Sequence, residues 1–342
     1  MTLPRRQPGE PAPAATGGRG RVVTLGEALV DMLPGPPAAD APPDEVAYYR
    51  AAGGAPANVA VGAARLGAAA GFIGALADDP FGRFLLGTLR SEGVDTHNVV
   101  VVPDARTALA FVTHSDGGER RFHFYREGAA DLRLRPVDVN AAYIAGAAVL
   151  HVGSLSLTGE SARSATLHAV ATARRLNVPV SVDPNLRLDL WPTAATARRE
   201  ILALMAQATL LKLSDEELEF LTGASGESAA RSLFGSELEL LCVTHGAHGT
   251  SYYTRTATSF ETAFAVTPVD TTGAGDAFVA ALLATIAVAG SVHKTVDDSL
   301  ALAAAIRRAN AFAALTVTRP GATTAMPRPD ELEAFLRGSD TG

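Results

Sequence analysis

The chain has 342 residues, 47% hydrophobic and 19% charged, enough for one large α/β domain or two smaller ones. Its formal net charge of -7, with no run of more than two basic residues, argues against a nucleic-acid surface. The single cysteine, Cys242, cannot form an internal disulfide, which fits a reducing cytoplasm, and its apolar surroundings read as a buried strand.

Residues 1–21 are rich in Pro, Gly, Ala and Arg and lack the apolar core of a signal peptide, so they are expected to form a disordered tail. Arg21 to Gly26 then reads as a first core strand, running into Glu27-Ala28-Leu29-Val30-Asp31-Met32. Asp31 would lie near the end of that strand, where ligands collect in open α/β sheets. Val46 to Arg50 alternates like an exposed strand and leads to Gly53-Gly54-Ala55-Pro56-Ala57-Asn58. Two glycines before a small-residue helix let a ligand lie against the backbone, and the Asn58 amide can read hydroxyls or act as a turn residue.

Ala57–Leu66 is predicted helical, Gly71–Ala75 a buried strand and Asp79–Glu92 a helix ended by Gly93. This alternation implies βαβ units and a parallel sheet. Thr107–Thr113 and Arg120–Arg126 break the rhythm around the turn signal Ser115-Asp116-Gly117-Gly118. With residues 46–50 they predict a small antiparallel sheet that could cover a site. The lid segments are about 34–54 and 104–131.

Strands are predicted at Ala147–Val152, Val178–Asp183, Thr209–Leu213 and around Cys242, with a helix over Gly159–Leu176. Ser214 and Glu217 fit a capping box, Ser-x-x-Glu. His245 and His248 lie in a glycine turn, without the further partners that zinc spacing needs. Ala263–Val266 reads as a short strand, and residues 293–314 as one long Ala-rich helix carrying Asn310.

The chemistry gathers at Asp270-Thr271-Thr272-Gly273-Ala274-Gly275-Asp276. Ala277–Ala289 carries no charge and is too short to cross a bilayer, so it reads as a helix buried in a core, and no membrane partner is expected. The glycines then sit at a helix N-terminus, whose free amides and dipole favour an anion. Asp276 on that end is either a helix-capping aspartate or a base beside a phosphate-sized hole, the arrangement that phosphoryl transfer to an alcohol needs.

These motifs together resemble the ribokinase-like sugar kinases of the phosphofructokinase-B type, and the fructokinases among them most. The likeness runs from about Val22 to the C-terminal helix, within one kinase domain over 22–338. The 270–276 segment is similar to the family's C-terminal signature and the 53–58 segment to its N-terminal one. Gly26–Asp31, Asp183-Pro184-Asn185-Leu186-Arg187 with Leu190-Trp191, and Ala314–Thr318 carry the fructokinase flavour.

The resemblance implies a three-layer α/β sandwich with a mostly parallel central sheet and a small β-sheet lid. It implies ATP-dependent phosphorylation of a sugar, fructose to fructose 6-phosphate, with Asp276 as base and Gly273, Ala274, Gly275 and Asp276 as anion hole. Asp31, Gly53, Gly54, Asn58 and Arg126 would bind the sugar. Lys212, Thr244, Gly246, Gly249, Gly273, Gly275 and Asn310 would line the nucleotide site. Glu217 would organise Mg2+ accompanying ATP, through water, with Ser214 where many relatives have asparagine. Asp270, Thr272, Thr316, Arg319 and Gly321 match a K+ site, with Ala325 where some relatives carry serine. A homodimer through the lid is a further expectation.

The nearest enzyme rival is a 2-keto-3-deoxygluconate kinase; adenosine, ribose and an aminoimidazole riboside are other acceptors. A sugar-binding regulatory protein is the non-enzyme rival, and the intact Asp276 with both glycines speaks against it. Dinucleotide binding lacks its Gly-x-Gly-x-x-Gly after the first strand.

Overall fold

The structure, a computed structural model, describes residues 20–35, 46–114 and 120–339. The tail expected over 1–19, the connection 36–45 and the turn Ser115–Gly118 lie outside the described residues. Arg21 is the first residue of the expected first core strand rather than the last of the tail.

Among the described residues, thirteen strands form two sheets. The large one has the order β13 (Thr258–Thr262), β12 (Gly249–Thr254), β11 (Leu240–Thr244), β10 (Leu210–Ser214), β9 (Val180–Val182), β8 (Ala147–Val152), β1 (Arg21–Leu25), β4 (Ala70–Ala77) and β5 (Asp95–Val102). From β11 to β5 every pairing is parallel; β12 and β13 add an antiparallel hairpin at one edge.

Parallel strands covered on both faces need apolar residues at both parities. Val23, Leu25, Leu150, Leu211 and Leu213 face α3 (Ala141–Ala145), α4 (Glu160–Arg175), α5 (Ala194–Met205), α6 (Asp215–Thr222) and α7 (Gly226–Ser232). Val22, Val149, Leu210 and Cys242 face α1 (Ala55–Arg65), α8 (Ala274–Ala289), α9 (Val292–Val296), α10 (Ser299–Thr316) and α11 (Pro329–Ser339). The result is the expected three-layer sandwich. α2 (Pro80–Ser91), capped by Asp79 Oδ1 at 2.7 Å from the Gly82 amide, packs its Leu85, Leu86 and Leu89 into a smaller core toward the second sheet.

That second sheet has the order β3 (Ala47–Gly53), β2 (Leu29–Gly35), β6 (Leu109–His114) and β7 (Arg120–Tyr125). It is the expected lid with one strand more. β2 pairs antiparallel with β3 but parallel with β6, so the lid is mixed and starts at residue 29 rather than 34. Asp31 therefore sits inside a lid strand, not at the end of a core strand. The run Leu29-Val30 is apolar because both faces are covered, so it read as a continuation of β1.

Three other expectations change. Residues 263–266 are irregular chain after β13, not a strand. Residues 293–314 are not one helix: α9 ends at Val296, and Asp298 caps α10 by accepting from Leu300 N (3.0 Å) and Ala301 N (3.1 Å). The edge strand β5, partly exposed and led by Asp95-Thr96-His97-Asn98, was not foreseen.

Candidate active site

The carboxyl ends of β1, β8, β9, β10 and β11 converge below the lid, and the start of α8 enters the same space. Gly273 precedes α8 with φ 76°, and a Cβ there would lie 2.7 Å from Ala322 Cβ, so glycine is required. No side chain caps this helix, which leaves its first amides open to an anion. Lys212 on β10 has the parity that faces α8. Its ammonium lies close enough that a Cβ at Gly275 would be 2.8 Å from Nζ. Burial works against a charge on Lys212, but Asp183, with Oδ2 3.1 Å from Nζ, and Glu217 hold it protonated, above its ordinary range. A cation and a helix N-terminus thus share one place.

Asp276, the third residue of α8, is 7% exposed. Its Oδ2 accepts from Asn58 Nδ2 at 2.7 Å. Burial pushes its carboxyl up to about 6, against the Asn58 hydrogen bond and the charges of Lys212 and Arg187, with Asp183 raising it further. Asp31 is pushed up to about 7 by burial and then by the charge of Asp276. The two neighbouring glycines make this crowding feasible. A Cβ at Gly53 would lie 2.2 Å from Asp31 Oδ2, and Gly54, at φ 99°, would bring one 2.6 Å from the Glu27 carbonyl.

Three cavities meet here. A small one of about 70 Å³ under the lid is bounded by Glu27, Asp31, Gly54, Asn58, Phe122 and Asp276. The second, about 540 Å³, holds Lys212, Asp183, Arg187, Glu217 and the 271–276 loop. The third, about 510 Å³ and mostly apolar, includes Thr244, Gly246, Gly249, Phe278 and Asn310, and shares Thr271, Ala274 and Gly275 with the second. Asp276 and Gly273 line the first two cavities, and Gly275 lines the last two. These three cavities, the candidate acceptor pocket, anion chamber and nucleoside slot, adjoin through shared lining residues.

Not every expected residue offers free polar atoms. Arg126 is absent from the acceptor pocket lining. Its Nε donates to Asp131 Oδ2 (2.7 Å), Nη1 to Thr158 Oγ1 (2.6 Å) and Nη2 to Leu155 O (3.1 Å), so it braces the end of the lid instead of reaching the pocket. The pair it forms with Asp131 is buried on both sides. Asn310 walls the slot, yet its Oδ1 accepts from Thr250 Oγ1 (2.7 Å) and its Nδ2 donates to Glu261 O (3.1 Å). Lys212 lines the anion chamber rather than the nucleoside slot.

Ser214 and Glu217 form the full capping box. Ser214 Oγ accepts from Glu217 N (3.1 Å) and Glu217 Oε2 from Ser214 N (2.8 Å), while Glu217 Oε1 accepts from Leu186 N (2.7 Å). Both oxygens of Glu217 are therefore occupied by amides. Among the described residues no group of three or more His, Cys, Asp or Glu could hold a metal by itself. A metal held mainly by phosphates and water suits that donor set. Asp270 Oδ1 accepts from Thr272 N (2.7 Å) and Oδ2 from Gly321 N (2.8 Å), which joins the two loops expected at the K+ site. Thr316 Oγ1 turns away to Phe312 O (2.8 Å), and Arg319 pairs with Glu331.

Arg187 lines both polar cavities, and its charge acts on Asp31 and Asp276. It stands 5.9 Å from the centre of the Phe122 ring, which belongs to the lid. The sequence marked Arg187 only as part of a motif; the signal was a cation five residues past the end of β9 at Val182. Phe122 and Glu27 were likewise marked only as members of the 120–126 and 26–31 segments.

The chain and its fold are similar to those of known proteins. Over 331 residues the chain is 44% identical to the probable fructokinase-4 of Arabidopsis thaliana, covering 95% of this chain and 99% of that one. The fructokinase of Xylella fastidiosa solved with bound ATP superposes with a TM-score of 0.87 at 37% identity, covering 94% of this chain and 99% of that one. The fructokinase of Vibrio cholerae O395, in its form with fructose, ADP and calcium, gives a TM-score of 0.82 at 34% identity, covering 94% and 100%. A double mutant of that enzyme with fructose, ADP and potassium gives 0.84 at 36%, covering 93% and 99%. Residues 19–329 match the pfkB family of carbohydrate kinases, and the chain belongs to that family.

Proposed function

We propose that this carbohydrate kinase transfers the terminal phosphoryl group of ATP to a hydroxyl of fructose, giving fructose 6-phosphate, with Asp276 as general base. The observation that carries the reading is the position of Asp276. It borders the acceptor pocket on one side and the anion chamber on the other. Near neutral pH a carboxyl that titrates at about 6 is mostly ionised, yet basic enough to accept a proton.

The acceptor lies under the lid, its hydroxyls read by Asp31 and Asn58. The reacting hydroxyl gives its proton to Asp276. The transferred phosphoryl oxygens meet the amides at the start of α8 and the ammonium of Lys212, where developing charge is stabilised without reorganisation. Arg187 adds a second cation at the same boundary. The nucleoside occupies the apolar slot beside Gly246 and Gly249. Asp183, Ser214 and Glu217 border the chamber where Mg2+ would ride on the phosphates, screening their charge. A potassium ion would sit where Asp270 joins the 270–272 and 317–321 segments; the Vibrio enzyme is described with a bound potassium ion. A lid-mediated homodimer and a cytoplasmic location complete the proposal. The exposed Tyr49 and Tyr125 on the lid support the first, and the lone buried Cys242 agrees with the second.

Fructose is favoured over 2-keto-3-deoxygluconate by the resemblance and by the commitment of Arg126 to Asp131, which removes one guanidinium that could grip an acid. An ADP-release assay across sugars tests this. Fructose should give the highest kcat/KM. A higher value for 2-keto-3-deoxygluconate would overturn the substrate, and no turnover with any sugar would overturn the kinase reading.

A further inference from the structure

We propose that Glu27 is a positioning residue that ties together the lid's links to the main sheet and sets Asn58 against Asp276. This inference rests on the kinase reading of Asp276.

Glu27 lies on the link from β1 to β2, the first path from the main sheet into the lid, and is 3% exposed. Its Oε1 accepts from Ala55 N at 3.1 Å. Ala55 is the first residue of α1, directly after the path back from β3. The N-cap of α1 is Gly54, which has no side chain to accept from a helix amide. Glu27 supplies that acceptor from a distant part of the chain, replacing a local cap. The same two links touch through their backbones, since a Cβ on Gly54 would lie 2.6 Å from the Glu27 carbonyl oxygen.

A third link leaves β7 at Arg126, anchored to the body by Asp131, Thr158 and Leu155. The charges of Arg126 and Asp131 both act on the Glu27 carboxyl, Arg126 favouring its ionised form and Asp131 opposing it. Glu27 is therefore bonded to one hinge of the lid, part of another and electrostatically joined to a third. Its Oε2 is buried without a hydrogen-bond partner among the described residues, a cost that an incidental surface acid would not carry. Burial pushes the carboxyl up to about 7, which agrees with this confinement.

The consequence reaches the base through α1. Asn58 N donates to Gly54 O at 2.8 Å, closing the first turn, and Asn58 Nδ2 donates to Asp276 Oδ2 at 2.7 Å. The direction of the α1 start thus fixes the donor that favours the ionised form of Asp276. Other groups acting on Asp276 are Asp183, Lys212 and Arg187, with Asp31 across the pocket; Glu27 adjusts none of them directly.

The test is a double-mutant cycle between Glu27 and Asn58 in the full chain, read by kcat, the KM for fructose, the pH profile and the Kd for ATP. Glu27→Ala should lower kcat/KM for fructose by about tenfold or more, because small misplacements at a reacting centre cost that much. The acidic limb of kcat should move to higher pH, as Asp276 loses part of its Asn58 hydrogen bond, while ATP affinity stays within about twofold. Glu27→Gln, which keeps an acceptor oxygen for Ala55 N, should recover most of the activity. Glu27→Asp keeps the charge near Arg126 but shortens the reach, so it should behave like Ala; it carries the cycle if the Ala variant does not fold. Either variant combined with Asn58→Ala should cost little more than Asn58→Ala alone. Additive losses, or Glu27→Ala and Glu27→Asp kinetics like those of the unmodified chain, would overturn the proposal. A chain that turns over no sugar before any substitution refutes the kinase reading instead.

Discussion

Asn58 and Asp276 stand 218 residues apart in the chain, yet Asn58 Nδ2 meets Asp276 Oδ2 at 2.7 Å and joins the start of α1 to the start of α8. The two helices lie on the same face of the sheet and pack along their length, so the pair is held by helix–helix contact rather than by loops. That rigidity matters for a base, whose efficiency depends on the position of one oxygen.

The first prediction concerns that oxygen. Asp276→Ala should leave a folded protein and lower kcat by about 10²–10⁴. In the unmodified enzyme activity should fall as pH drops through about 6, because the raised carboxyl becomes protonated and can no longer take the hydroxyl proton. Asn58→Ala removes a hydrogen bond to the charged form, so the limb should move upward. A kcat profile flat from pH 5 to 8 would assign the proton to another group.

The acceptor pocket holds acid against its own interest, and stability should reveal it. Asp31 titrates at about 7 when folded against an ordinary 3.8, so its ionisation opposes folding. Its favourable contribution is complete below about 4 and is lost as pH rises through about 7. Asp31→Asn should therefore raise the Tm of the ligand-free protein at pH 8 and change it little at pH 4. The same variant should use fructose poorly, since the amide replaces one of the two acceptor oxygens by a donor. Parallel thermal scans at the two pH values, with kinetics, check both halves.

How much of this was legible beforehand depended on whether neighbours in sequence decided the outcome. The helix start at 273–276 was readable because Gly273 and Gly275 stand just ahead of the uncharged run 277–289, and a helix start is a local fact. Strands such as β10 and β11 were readable because burial on both faces leaves an apolar run. β2 was not, since apolar residues after β1 look alike whether they extend one sheet or enter another. The destinations of Arg126 and Arg187 were also hidden. Each follows a strand, and only the tertiary placement of Asp131 and Thr158 draws Arg126 away from the pocket that Arg187 reaches.

Glu217 separates a metal role from a structural one. Its two oxygens hold the amides of Ser214 and Leu186, and the second bond positions the loop carrying Arg187. Glu217→Gln replaces one acceptor by a donor facing an amide. We expect a loss of about 1–3 kcal/mol in stability, the cost of leaving a buried donor unpaired. If magnesium is held through water by this carboxylate, the apparent magnesium requirement should rise as well. A magnesium titration beside a denaturation curve distinguishes the two: unchanged magnesium dependence with lowered stability confines Glu217 to the capping box and loop.

Arg126 closes the lid's last link, and its removal should be felt as stability rather than as substrate affinity. Its guanidinium and the Asp131 carboxylate are 5% and 1% exposed, and they bond to each other and to the body of the protein. Taking away one member of a buried pair leaves the other charge without compensation, at about 3–5 kcal/mol. Arg126→Ala should thus lower the denaturant midpoint strongly, while the KM for fructose in the folded fraction changes little. Replacing both members, Arg126→Met with Asp131→Leu, removes the stranded charge and should restore much of the loss, because well-packed apolar residues often match a buried ion pair. The outcome that would return Arg126 to the sugar is the reverse pattern: a near-native midpoint with a large rise in KM, unrelieved by the second substitution.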